Sequence, residues 1–82
     1  GASAEDSVHI RSALEATPGV ESVIHMKTLY LGPEELLVGA KIAVAANASG
    51  RQIADIIDAA EAAIRHDVPA ARVIYLEPDV KR

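Results

Sequence analysis

The run from Glu35 to Ala46 constrains the fold more than any other stretch of this sequence. Its side chains alternate, so that a β-strand would divide them between the two faces of a sheet. One face would carry Leu36, Val38, Ala40, Ile42 and Val44, and the other Glu35, Leu37, Gly39, Lys41 and Ala43. Because the first set is wholly apolar, we predict that it faces a helix-covered core. Lys41 then lies on the opposite, open face.

The length of 82 residues is that of one small domain. A chain this short buries only about 60 to 65% of the surface that its unfolded form exposes, so its margin of stability is thin. Half of the residues are hydrophobic, but Phe and Trp are absent, and the core must therefore come from Ile, Val, Leu and Ala. We interpret residues 1-3 as an expression-tag remnant and residues 4-82 as a single domain.

Several functional classes are disfavoured by composition. The net charge of -4, with scattered basic residues, argues against a nucleic-acid partner. The absence of cysteine excludes disulfides and thiolate zinc sites. No apolar run approaches the roughly 20 residues that span a bilayer, so we expect a soluble fragment. With no Gly-rich phosphate loop and no serine visibly paired with a histidine and an acid, we expect no enzymatic activity.

Turn and capping signals divide the chain into five elements. Pro18-Gly19 ends a first helix, Gly32-Pro33 lies in a hairpin turn, and Ser49 with Gln52 forms a capping-box pattern. A second helix follows, with isoleucines and alanine at helical spacing on one face. The predicted elements are a helix over 4–17, strands over 20–31 and 35–46, a helix beginning after Ser49, and a strand over 71–76 that stops at Pro78.

The order α-β-β-α-β predicts an α+β fold of the ferredoxin-like, metallochaperone-like kind that lacks the first strand. We expect an open, antiparallel-type three-stranded sheet with both helices on one face. A crossover through the second helix should be right-handed and place the third strand beside the first. On that arrangement His25, Lys41, Tyr75 and Glu77 come together on the open face.

Apolar side chains are also expected on the open face, near the hairpin turn. They are Leu29, Leu31, Leu37 and Val73. An exposed apolar cluster on a small domain usually marks an interface, and we predict a homodimer that uses this one. The alternative is that a bulge shifts the alternation and the leucines belong to the core.

The chain resembles the cytoplasmic C-terminal domain of cation diffusion facilitators, which are proton-coupled exporters of divalent metals. The resemblance covers nearly the whole chain. It rests on an ordered series of motifs: Pro18-Gly19-Val20, then His25-Met26-Lys27-Thr28, Gly32-Pro33-Glu34-Glu35-Leu36-Leu37-Val38, Ile42-Ala43-Val44, and Val68-Pro69 with Val73-Ile74-Tyr75-Leu76-Glu77-Pro78-Asp79. The resemblance implies a domain that dimerises on the cytoplasmic side of the cell membrane, attached to the membrane domain of the transporter.

The resemblance also implies a site for zinc or a similar ion between protomers, but this sequence departs from it. His25 matches one family ligand and Glu77 takes the place of an aspartate. Lys41, Tyr75 and Ala54 stand where metal-binding members have histidines. Because an ammonium repels a divalent cation and tight zinc binding takes four ligands, we expect a degraded or absent metal site, with zinc as a low-affinity candidate only.

Lys41 is instead expected to pair with Glu77, which would contribute about 0 to 1 kcal/mol. The resulting functional hypothesis is a regulatory and dimerisation domain of a zinc-, manganese- or iron-type efflux transporter. The alternative is a free-standing ferredoxin-like sensor of a small organic ligand.

Overall fold

The computed structural model describes residues 2–81, and the side-chain environments of residues 4–81. The elements are α1 (Ala2–Ala16), β1 (Ser22–Gly32), β2 (Glu35–Val44), α2 (Gly50–Asp67) and β3 (Ala71–Val80). This order confirms the predicted α+β architecture. Within the described range, neither helix has the length and apolar character needed to cross a membrane.

The three strands lie in the order β1-β2-β3. β1 and β2 form the predicted antiparallel hairpin, whereas β3 pairs with β2 in parallel. The expectation that the third strand lies beside the first is therefore wrong, and the sheet is mixed rather than antiparallel. In the hairpin, β1 pairs with one edge of β2 and leaves the other edge free. α2 carries the chain back to the end at which β2 begins, so that β3 runs parallel to β2. Since no strand intervenes, β3 occupies that free edge.

Both helices cover the core face of the sheet, as predicted. α1 contributes Ile10 and Leu14 to the core, and α2 contributes Ala60 and Ile64. These side chains meet the apolar set of β2, in which Val38 and its alternating neighbours are buried. The core is thus built from aliphatic side chains of the two helices that pack against the central strand β2.

A register shift between Val23 and His25 marks a bulge in β1. Val23 pairs with Ile42 and contacts the core, while Ile24 is 46% exposed. Strict alternation from His25, which the sequence predicts on the open face, would place Val23 on the open side and Ile24 on the core side, and that assignment is wrong at the start of β1. An extra residue at a bulge reverses the alternation on one side of it.

The bulge does not bury the leucines near the hairpin turn. Leu29 is 61% exposed and Leu31 is 51% exposed. The alternative that placed them in the core is therefore wrong, because the alternation downstream of the bulge follows the prediction.

β3 continues to Val80 and does not stop at Pro78, as the sequence had suggested. Proline lacks an N–H to donate to a neighbouring strand, which is why it was read as a terminator. β3 is an edge strand, however, and an edge strand accepts proline where its N–H would point to solvent. Pro78 accordingly lies in register with Ile42. This extension brings Asp79 onto the sheet.

Two local features position α1 and α2. Gly19 has a φ of 95°, which lets the chain turn tightly between α1 and β1. The predicted capping box is confirmed: Gln52 N donates to Ser49 Oγ at 3.0 Å, and Ser49 N donates to Gln52 Oε1 at 2.8 Å. α2 therefore starts at a fixed point above the end of β2.

Candidate functional site

The open face, meaning the side of the sheet away from the helices, is organised in rows that cross all three strands. The apolar row consists of Leu29, Leu37 and Val73, which are paired in register. The next row is Lys27, Gly39 and Tyr75, and the charged row is His25, Lys41 and Glu77. At about 3.3 Å per residue, the apolar and charged rows lie about 13 Å apart along β2.

The charged row contains the ion pair expected from the sequence. Lys41 Nζ lies 3.5 Å from Glu77 Oε2 and 3.8 Å from Asp79 Oδ2. The side chains of Lys41, Glu77 and Asp79 are 37%, 69% and 22% exposed. The ammonium therefore bridges two carboxylates of β3 from its position on the central strand.

Asp79 is the member of this cluster that sequence reasoning missed. It lies two residues after Glu77 on the same strand, so the two side chains share a face. Ending β3 at Pro78 removed Asp79 from consideration. The available signal was the alternation Tyr75, Glu77, Asp79, which continues through the proline.

His25 lies on the far side of Lys41 from Glu77. It is exposed, and it pairs with Lys41 across the β1–β2 ladder. Since adjacent strands are about 4.8 Å apart, the Cα atoms of His25 and Glu77 are separated by about 10 Å, with Lys41 between them. The predicted convergence of these residues is present, but the order is His25, Lys41, Glu77 because β2 is central.

The other two departures from the family pattern lie in different places. Tyr75 is 68% exposed on the open face, beside Gly39. Ala54 is exposed on α2, which covers the opposite face of the sheet. Ala54 is therefore separated from the charged row, so no single cluster holds all the positions named from the sequence.

The residues of the charged row do not fit a divalent metal. Zinc is held by about four ligands at roughly 2.0 to 2.3 Å. The described residues include no group of three or more His, Asp or Glu side chains that could hold a metal ion. His25 and Glu77 are two donors on opposite edges of the sheet, and the ammonium of Lys41 lies between them. A cation in this place would meet like charge.

A shallow groove of about 330 Å³ runs over the charged row and its neighbour. His25, Lys41 and Glu77 form one wall, and Lys27 and Tyr75 the other. Gly39 lies in the middle of the groove and has no side chain to fill it. A Cβ at this position would point into open space, with no atom within 4 Å. The groove is open to solvent along its length.

A second polar cluster joins α1 to β1. Tyr30 Oη donates a hydrogen bond to Asp6 Oδ2, and Ser7 Oγ lies 3.3 Å from Thr28 Oγ1. The hydrogen bond to Asp6 raises the pKa of Tyr30 above its ordinary value of 10.0, and partial burial and the negative charge of Asp6 act in the same direction. These contacts fix the first turns of α1 on the sheet.

Comparison with known proteins identifies the family. The sequence profile described as the cytoplasmic domain of cation efflux proteins matches residues 2–79. The chain belongs to this family of cation diffusion facilitators. No curated protein sequence matches the chain. The family resemblance inferred from the motifs is thereby confirmed, and the family is one of transport proteins rather than a known class of enzymes.

Solved structures of the MamM C-terminal domain, also a cation diffusion facilitator domain, share the fold. A Met-to-Leu variant superposes with a TM-score of 0.91 at 22% identity, covering 99% of this chain and 100% of that chain. A double alanine variant gives 0.89 at 25% identity, covering 100% and 99%. A nickel form of an Asp-to-Asn variant gives 0.88 at 23% identity, covering 96% and 99%.

Together these matches define a dimerisation-type cytoplasmic domain of a cation diffusion facilitator with a ferredoxin-like fold. The order of helices and strands in this chain is the one expected for that fold. The roles of individual residues on the open face are a separate question, which depends on the chemistry of the rows described above.

Proposed function

We propose that this domain regulates and dimerises a proton-coupled exporter of a zinc-, manganese- or iron-type divalent cation. In this proposal it is attached to the membrane domain of the exporter, on the cytoplasmic side of the cell membrane. The observation that carries the proposal is the match of the cation efflux family over residues 2–79, combined with an exposed apolar row on the sheet.

The apolar row is the surface through which two copies would associate. Leu29, and Leu31 next to the row at the hairpin end of β1, are each more than half exposed in the isolated chain. Leu37 and Val73 continue the patch across β2 and β3. Burying exposed leucines is favourable by about 25 cal/mol per Å² of apolar surface, which supports this part of the open face as the dimer interface.

The metal site is proposed to be degraded or absent. His25 and Glu77 are the two remaining candidate ligands, and Lys41 lies between them at 3.5 Å from the carboxylate. Zinc binding through this pair would require displacement of the ammonium, so any binding would be of low affinity. Tyr75 and Ala54 supply no imidazole at the other family positions.

The alternative of a free-standing small-ligand sensor is disfavoured by the family match. The groove over Gly39 is the feature that such a sensor would use. The sequence encoded upstream of the domain separates the two functions. Six hydrophobic spans ahead of Ala4 would support the transporter domain, and a soluble enzyme or regulator there would contradict it.

Association is tested by analytical ultracentrifugation of the domain over a range of concentrations. We expect a monomer–dimer equilibrium with dimer present at tens of micromolar. A strictly monomeric species throughout that range would contradict the proposed dimerisation by the isolated domain. The ultracentrifugation needs no added metal, because the apolar row contains no metal ligand.

A further inference from the structure

We propose that Lys41 is the resident cation of the open face. Its ammonium takes the place that a divalent metal would hold between carboxylates, and it joins β3 to β2 without metal. This inference rests on the proposed function and deepens it: besides the small number of ligands, a positive charge lies next to the carboxylates of β3. It predicts that the charge of Lys41 is what keeps divalent cations out.

The bridging geometry supports this assignment. Lys41 lies on the central strand, in register with Glu77, and its Nζ is 3.5 Å from Glu77 Oε2 and 3.8 Å from Asp79 Oδ2. Asp79 Oδ1 accepts a hydrogen bond from Val80 N at 2.8 Å, so the backbone helps to orient that carboxylate. One ammonium thus faces two carboxylates on a single edge strand, as a small divalent ion would.

His25 is the next residue of the charged row, on the other side of Lys41 from Glu77. His25 pairs with Lys41 from the other side, and its imidazole belongs to the same row as Glu77. Glu77 and Asp79 are therefore two potential ligands that face one positive charge, and His25 is a further donor of the same row, on the opposite edge strand. The described residues form no metal site as they stand, and the ammonium of Lys41 is the cation next to both carboxylates.

The size of the effect follows from electrostatics. An ammonium about 4 Å from a divalent ion in water weakens binding by about thirtyfold, and by more where the pair is shielded from solvent. Replacing Lys41 with a neutral side chain should therefore tighten the binding of a divalent cation by about that factor. Replacing it with histidine should also place an imidazole donor beside the carboxylates of Glu77 and Asp79, and imidazole and carboxylate are both zinc ligands.

The test is calorimetric titration of the domain with zinc chloride, using three substitutions at one position. Lys41→Arg keeps the charge, Lys41→Met removes it, and Lys41→His removes it and adds an imidazole. We expect wild type and Lys41→Arg to bind zinc equally weakly, Lys41→Met to bind about thirtyfold more tightly, and Lys41→His to bind most tightly. Circular dichroism confirms that each variant is folded.

A second substitution assigns the binding to this cluster. Adding Glu77→Gln to Lys41→His should abolish most of the gained affinity. The proposal is overturned if folded Lys41→Met and Lys41→His bind zinc no more tightly than wild type. It is also overturned if wild type binds zinc at micromolar concentration and Glu77→Gln removes that binding, or if the gained affinity survives loss of Glu77.

The result does not depend on dimerisation, since all of these donors belong to one protomer. A monomeric domain whose zinc affinity rises in Lys41→Met would support this inference while contradicting the proposed dimer. A dimeric domain whose zinc affinity is unchanged in Lys41→Met would contradict this inference while supporting the proposed dimer. The two proposals can therefore fail separately.

Discussion

Lys41 Nζ lies 3.5 Å from Glu77 Oε2, across the parallel ladder that joins the central strand to the edge strand. Glu77 is more than two thirds exposed, and such pairs contribute little to stability because water screens them. The importance of this pair lies in what it prevents. We propose that it keeps divalent cations out, because it places a positive charge beside the carboxylates of Glu77 and Asp79.

A double-mutant cycle should give only a small coupling between these two residues. We expect Lys41→Met and Glu77→Gln to interact by about 0.2 to 1 kcal/mol in the free energy of unfolding, and less in high salt. Urea denaturation of wild type, both single variants and the double variant measures this value. A coupling well above that range, unchanged by salt, would show that the pair is a main source of stability.

Leu31→Glu tests the dimer surface. We expect the dimer dissociation constant to rise about tenfold or more, because a carboxylate would be buried against a second copy. Leu31 is already 51% exposed, so the fold of the monomer should be retained. Val8→Glu is the matched control, since Val8 is 62% exposed but lies on α1. Unfolding of Leu31→Glu, or equal effects of both substitutions in sedimentation, would reject this interface.

Tyr30→Phe should destabilise the domain in a manner that depends on pH. The hydrogen bond to Asp6 favours neutral tyrosine and raises its pKa above 10.0, so its stabilising contribution is complete below pH 10. That contribution is lost as pH rises through the higher folded-state pKa. The thermal midpoints of wild type and variant should therefore converge above pH 10. A constant difference at all pH values would contradict this account.

Gly19→Ala should destabilise the fold for two reasons. The residue has a φ of 95°, and an added Cβ would lie 2.5 Å from Ile56 Cδ1. The left-handed conformation alone costs a non-glycine residue about 1 to 2 kcal/mol. We expect a loss of at least that size in urea denaturation. Gly39→Ala is the control, because a Cβ there meets no atom within 4 Å. Equal losses in both variants would refute the steric explanation.

The sequence was sufficient to predict most of the fold. Alternation along β2 placed Lys41 on the open face, and helical spacing placed the apolar face of α2, with Ala60 and Ile64, in the core. The turn residues located the end of α1 and the hairpin turn, and the capping box located the start of α2, whereas the predicted ends of β2 and β3 were wrong. These signals are local, and each depends on a periodicity that the backbone imposes.

The predictions that were wrong concern features that are set by contacts between distant parts of the chain or by local irregularities in a strand. The position of β3 depends on which edge of the hairpin is free, and no local pattern encodes that choice. The bulge at Ile24 and the continuation through Pro78 each break a rule that holds for regular strands. Correcting the strand order placed Lys41 between His25 and Glu77, and extending β3 added Asp79 to the cluster.

Sedimentation equilibrium of the wild-type domain, in chelator and in excess zinc, tests the central claim most directly. The claim is that the open face associates through its apolar row while Lys41 makes the charged row independent of metal. We predict the same monomer–dimer equilibrium under both conditions. A domain that is monomeric in chelator and dimeric in zinc would contradict the account.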